Sequence, residues 1–228
     1  MVTAEKMKYL DKKASLDYGI PEDRLMENAG KAAALETMRI ARKELGRDPD
    51  ALNVVICSGK GNNGGDGLVA ARYFKAAGTG ARVFILKPGE SGYGKLVASN
   101  IKRARAAGVK VSLVAGEDPE YLSPEFEKAD ILLDALLGIS AVGRPVGPVR
   151  RVIQLMNKSA KPIISVDIPS GLNPDTGRRP GVCITARHTL TPGFAKTGLI
   201  APRARKNTGR IKVLDIGYPA ALAEEAGK

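Results

Sequence analysis

Three stretches of this 228-residue chain bring together side chains that can do chemistry. The first runs from Gly59 to Gly67, where five of nine residues are glycine and Asn62, Asn63 and Asp66 stand between them. Glycines let the backbone approach a ligand closely, and a helix that starts there aims N–H groups and a positive dipole at an anion. A loop that only cradles phosphate needs neither the two asparagines nor the aspartate. The second stretch is the apolar run Ile131–Asp134 with its following loop, Gly138-Ile-Ser-Ala-Val-Gly-Arg144-Pro145. The third is Ile163-Ile-Ser-Val-Asp167, with Ser170 three residues on.

Several familiar chemistries fail on these residues. Gly59, Gly61 and Gly64 match the G-x-G-x-x-G dinucleotide spacing. That fingerprint also expects an acidic residue about 20 positions on to hold the ribose. The next strand instead ends Leu86-Lys87-Pro88, which disfavours an ordinary nicotinamide dehydrogenase. No Gly-Lys-Ser/Thr follows the glycines, so a P-loop is disfavoured too. Ser170 has no Gly-x-Ser-x-Gly elbow, and the only histidine is His188, so no serine triad is expected. One histidine and two distant cysteines, Cys57 and Cys183, cannot build a usual zinc site.

Asp134 and Asp167 each end an apolar run. Either carboxylate can cap a helix or accept structural hydrogen bonds. Together, beside Asn63, they can be oxygen ligands of a hard cation or an acid/base pair. Ser170 can be a hydroxyl ligand or a cap. Arg144 can pair with phosphate or lie on the surface before a turn. Glu27 and Asn28 can brace the glycine loop or form a solvated helix face.

The elements that must position these residues alternate along the chain. Two helices are expected first, one from about Ala4 to Tyr18 and one from Pro21 to Leu45, stopped by Gly46. Leu25, Ala29, Ala32, Ala33, Leu35 and Met38 form the second helix's expected buried stripe. Strands are expected at 53–57, 82–86, 109–114, 131–135, 163–167, 189–191 and 211–215. Helices between them are expected over 66–77, 94–107, 120–128 and 148–157. Continuous apolar strands alternating with helices predict a single α/β domain over residues 1–228, with a mostly parallel sheet covered on both faces. Ligands in such sheets bind beyond the carboxyl ends of the strands, where all three stretches fall.

Composition sets the remaining bounds. Hydrophobic residues make up 43% and charged residues 26%, ordinary for a globular protein. No apolar run approaches membrane length, and Met1–Leu10 lacks the pattern of a signal peptide. With two widely spaced cysteines, a cytoplasmic protein without a disulfide or membrane partner is expected. The net charge of +12 invites nucleic acid as a partner. Yet the basic residues are spread out, and 4 Phe, 6 Tyr and no Trp show no base-stacking pattern. A solvated basic surface that favours an anionic small ligand is the expectation instead.

Five motifs occur in one order across nearly the whole chain. They are Leu25-Met-Glu-Asn-Ala-Gly30, Gly61-Asn-Asn-Gly-Gly-Asp-Gly67, Asp134-Ala-Leu-Leu-Gly138, Val166-Asp-Ile-Pro-Ser-Gly171 and Thr208-Gly-Arg-Ile-Lys-Val-Leu-Asp-Ile-Gly-Tyr-Pro219. In this the chain resembles the YjeF N-terminal domain family of NAD(P)H-hydrate epimerases. The resemblance implies a Rossmann-like three-layer α/β/α sandwich, usually a homodimer, that interconverts the S and R forms of hydrated NADH and NADPH. It implies a bound potassium ion with Asn63, Asp134 and Ser170 as ligands. Asn62, Asn63, Gly64, Gly65 and Asp66 would contact the hydrate, as would Gly138, Ile139, Ser140, Ala141, Val142, Gly143 and Arg144. Asp167 would contact the ring and act as the acid/base. A separate dehydratase would complete the repair. The alternative is a non-catalytic nucleotide- or RNA-associated module of the same fold.

Overall fold

The computed structural model describes residues 1–227. Seven strands form its sheet: β1 (Asn53–Ser58), β2 (Gly80–Leu86), β3 (Lys110–Val114), β4 (Ile131–Ala135), β5 (Ile163–Val166), β6 (His188–Pro192) and β7 (Arg210–Leu214). All neighbours are parallel, in the order β3-β2-β1-β4-β5-β6-β7. The chain leaves β1 toward β2 and β3, then returns to add β4 on the other side. The β1–β4 boundary is therefore the topological switch point, where a crevice opens at the strands' carboxyl ends.

Helices cover both faces. One layer holds α1 (Ala4–Tyr18), α2 (Glu22–Leu45), α3 (Asn62–Ala76) and α4 (Lys95–Ala106). Its core takes the inward residues of the strands, such as Val54, Ile56, Leu133 and Val166. The other layer holds α5 (Ser123–Lys128) and α6 (Gly147–Lys158), packed on the alternate residues Val55, Cys57 and Leu132. Period-two alternation into two apolar layers explains why these strands read as continuous apolar runs. Short helices α7 (Arg205–Thr208) and α8 (Ala220–Gly227), absent from the sequence reading, bracket β7. Both cysteines are buried free thiols, and no described helix is long and apolar enough to cross a membrane.

The structure corrects four expectations. The glycine-dense stretch is mostly helix, because α3 begins at Asn62 rather than near Asp66. Its glycines answer to close packing rather than to loop conformation. A Cβ on Gly64 would lie 2.0 Å from the Gly59 carbonyl oxygen, one on Gly65 2.5 Å from Met26 Sδ, and one on Gly67 2.7 Å from Ala135 Cβ. Within the expected α2 stripe, Leu35 is 51% exposed and Ala32 is half-buried. The buried face instead recruits Met26, Gly30 and Ala34, because the helix presses its small residues against α3. A Cβ on Gly30 would meet Val69 Cβ at 2.4 Å. Pro21 sits one residue outside α2, its carbonyl accepting from the Arg24 and Leu25 amides. Finally, β5 stops at Val166, because Asp167 leaves the strand in the left-handed region, at φ 70°.

Candidate active site

The switch point opens into a cleft of about 1020 Å³ at the carboxyl edge of the sheet. Asn62, Asn63 and Asp66 enter it from α3, Gly138 to Ala141 from the loop after β4, and Asp167 from the end of β5. Lys8, Lys60 and Lys87 line it together with Asp11, Glu22 and Glu117, so the wall carries both signs of charge. Leu25, Met26 and Ile139 supply apolar wall.

Asp167 is the most constrained group in the cleft. Its Oδ1 accepts an ion-paired contact from Lys196 Nζ at 2.8 Å, and its Oδ2 accepts a hydrogen bond from the Ile139 amide at 3.0 Å. The left-handed backbone of a non-glycine residue is a sparsely populated state that aspartate and asparagine tolerate best. Gly138 must be glycine here, since a Cβ would come within 2.8 Å of Asp167 Oδ2 and 3.1 Å of Asn63 Cβ.

Two further carboxyls face the same end of the cleft. Burial pushes the Asp66 carboxyl well above the usual carboxylate range, and the Asp167 and Asp11 charges push it the same way. Burial also raises Asp11, although the Tyr218 hydroxyl donates to its Oδ1 and opposes the rise. Lys196 opposes both shifts. An ammonium-paired carboxylate beside one whose burial favours the protonated form puts two carboxyls in unlike environments at one site, the kind of arrangement from which acid/base pairs are built.

Asp134 lies behind the cleft wall and is fully buried. Its Oδ1 accepts from Ser170 Oγ at 2.5 Å and the Leu136 amide at 3.3 Å. Its Oδ2 accepts from Ser165 Oγ at 2.7 Å and the Ser170 amide at 2.9 Å. Burial raises its pKa, and those hydrogen bonds, Ser170's foremost, pull it back in part. Ser170 Oγ also accepts from the Leu137 amide at 2.9 Å, so the Asp134–Ser170 pair braces the loop that delivers Gly138. Asn63 is buried, and neither Oδ1 nor Nδ2 of its amide has a hydrogen-bond partner. Buried amides are nearly always paired, so this one points to a missing ligand. The unpartnered Asn63 oxygen is a hard donor of the kind that suits an alkali or alkaline-earth cation, whereas the Asp134 oxygens and Ser170 Oγ are already engaged in the brace.

The sequence-derived site is thus partly assembled. Asn62, Asn63, Asp66, Gly138, Ile139, Ser140, Ala141 and Asp167 share the cleft. Gly64 and Gly65 face Gly59 and Met26 instead. Val142, Gly143 and Arg144 lie beyond the cleft lining, with the Arg144 stem against Gly181. Glu27 is no solvated face, because it pairs with Arg72 of α3 at 2.5 Å. Asn28 Nδ2 donates to the Ile216 carbonyl at 2.8 Å. His188 lies at the opposite edge of the sheet, at the start of β6, paired with Glu44 at 2.9 Å. Sequence reasoning missed Lys196, Asp11 and Tyr218. Lys196 looked like one of 36 basic residues, and its signal was position alone, four residues beyond a strand end.

The sheet order and the switch-point cleft define a Rossmann-like α/β protein. Residues 22–198 match the family described as YjeF-related protein N-terminus, and the chain belongs to that family. It is 38% identical over 221 residues to the NAD(P)H-hydrate epimerase of Elusimicrobium minutum, covering 97% of both chains. It is 40% identical over 222 residues to the bifunctional NAD(P)H-hydrate repair enzyme Nnr of Thermofilum pendens, but spans only 41% of that protein's length. The crystal structure of yeast YNL200c superposes with a TM-score of 0.82 over the whole chain and 93% of the yeast chain, at 24% identity, and shows the same fold.

Proposed function

We propose that this protein is an NAD(P)H-hydrate epimerase, an isomerase that interconverts the S and R forms of hydrated NADH and NADPH. The observation that carries the reading is the Asp167 carboxylate, fixed by Lys196 and the Ile139 amide at the floor of the switch-point cleft. The near full-length match to the E. minutum epimerase supports it.

The hydrate carries a hydroxyl on C6, beside the ring nitrogen N1. Asp167 takes the hydroxyl proton as the C6–N1 bond opens to an aldehyde, and the carboxylic acid of Asp66 gives a proton to N1. Ring closure on the other face of the carbonyl returns both protons and inverts C6. No atom is gained or lost, so no redox partner is required. The Asn62 and Asn63 amides at the N-terminus of α3, ahead of the Gly65-to-Gly61 hydrogen bond that opens the helix ladder, receive phosphate. Gly138 to Ala141 close over the hydrate. Asn63, Asp134 and Ser170 would hold potassium, which would supply positive charge to the anionic hydrate. The unpartnered Asn63 amide is the structural support for that assignment.

The same reading includes a homodimer, residence in the cytoplasm, and a dehydratase as the next step of repair. The relatives named as bifunctional repair enzymes support that pathway link. The test is chromatographic. Pure S hydrate incubated with the protein should reach the S/R mixture faster than in buffer, and a rate equal to buffer would remove the assignment.

A further inference from the structure

Lys196 is among the largest fully buried side chains in the protein, with 1% of its surface exposed. An ammonium has three hydrogens to donate. Here all three are used: on Asp167 Oδ1 at 2.8 Å, Thr191 Oγ1 at 3.0 Å and the Pro192 carbonyl at 3.0 Å. Two of those acceptors belong to the end of β6, so the ammonium is fixed by the sheet and presented to Asp167. Its backbone is clamped as well. The Val2 amide donates to the Ala195 carbonyl at 3.0 Å, and the Thr197 amide donates to the Val2 carbonyl at 3.0 Å.

A lone buried lysine is costly, and packing alone would favour an apolar side chain of similar size. Lys196 is therefore held where its charge acts. Asp11, Asp66 and Asp167 all feel that charge, and Asp167 alone of the three contacts it. Asp167 itself sits at a positive φ of 70°. With Oδ2 on the Ile139 amide, both carboxylate oxygens are fixed, and the plane of the carboxylate is set before any ligand arrives.

We propose that Lys196 is a positioning residue for epimerisation. Its ammonium fixes the Asp167 carboxylate in the orientation that takes the C6 hydroxyl proton, without itself touching the hydrate. This inference rests on the epimerase reading of the cleft.

The test compares wild type with Lys196→Met, Lys196→Arg and Thr191→Val, measuring kcat and KM on the hydrate and the Kd of unreactive NADP+. Lys196→Met should lower kcat at least 100-fold, with KM and the NADP+ Kd within threefold of wild type. Lys196→Arg should recover at least tenfold over Lys196→Met, and Thr191→Val, which leaves the ion pair, should cost less than tenfold. A folded Lys196→Met with kcat within threefold of wild type, or with only KM raised, overturns the proposal. If Lys196→Met does not fold, Lys196→Gln decides: a kcat lowered at least 100-fold at unchanged KM supports the role, and a wild-type kcat overturns it.

The double variant Lys196→Met/Asp167→Asn removes both charges. It should regain thermal stability over Lys196→Met while staying inactive. A readout independent of activity separates this inference from the epimerase reading. The Asp167 carboxyl carbon resonance at neutral pH should move in Lys196→Met and hold in Thr191→Val. If wild type fails to epimerise yet that resonance moves, the function falls and the positioning stands. If it does not move, the positioning falls.

Discussion

Gly138→Ala and Gly61→Ala differ only in what the added methyl meets. Neither glycine has a positive φ, so alanine is allowed by the backbone at both. A Cβ on Gly61 meets nothing within 4 Å. A Cβ on Gly138 falls 2.8 Å from Asp167 Oδ2, about 0.6 Å inside the 3.4 Å of an ordinary contact. Asn63 Cβ, at 3.1 Å, closes the other side. The oxygen therefore has to retreat by about 0.6 Å. A retreat that lengthens the 3.0 Å bond from the Ile139 amide takes it to a distance that is no longer a hydrogen bond. Losing a hydrogen bond to a charged group costs about 1.5–3 kcal/mol. If that loss falls on the transition state, kcat/KM drops roughly 10- to 150-fold at 1.36 kcal/mol per decade. Gly61→Ala should stay within about threefold. The assay is hydrate epimerisation under kcat/KM conditions, with both variants confirmed folded. A folded Gly138→Ala at wild-type kcat/KM would refute the claim that the Asp167 carboxylate is held in one working orientation.

Asp66 holds its proton in the folded state above the pH at which it ionises in the unfolded chain. Stability then falls as pH rises from the ordinary carboxylate range toward the folded pKa, at about 1.4 kcal/mol per unit of displacement. Asp66→Asn should therefore raise Tm more at pH 7 than at pH 4, and equal gains by scanning calorimetry would contradict this. Ser170→Ala removes the 2.5 Å bond to Asp134 and leaves the Leu137 amide without its acceptor. The cost is about 2–4 kcal/mol, or roughly 5–15 °C in Tm for a chain of this size; an unchanged melt would show that the brace is dispensable. Replacing sodium with potassium in the buffer should raise Tm of the wild type and not of Asn63→Ala, and an equal response from both would remove Asn63 from the ion site.

The central strands β1, β4 and β5 were legible because both their faces are buried, which leaves apolar runs that only a covered parallel sheet explains. Helix ends were legible where chemistry marks them, as at Gly46 with its left-handed cap at φ 63°. The start of α3 was not, because three glycines near a helix N-terminus look like a loop until their neighbours are known. Met26 of α2, Gly59 after β1 and Ala135 of β4 come from three other parts of the chain, and only the assembled fold shows that they leave no room for a Cβ. Asp134 and Asp167 stood out because a carboxylate at the end of an apolar run is conspicuous. Lys196 did not, because a lysine's burial leaves no trace in a chain of +12 charge. The contacts of Asp11 and Tyr218 join α1 to the segment after β7, a separation in sequence that no local pattern spans.

Asp167→Asn puts the central claim to the most direct trial. Asparagine keeps the shape, accepts the left-handed backbone and removes the proton acceptor. Wild type should interconvert the S and R hydrates well above the buffer rate, and folded Asp167→Asn should lose at least 100-fold in kcat while still binding NADP+. A wild type no faster than buffer, or an Asp167→Asn variant as fast as wild type, would contradict the account.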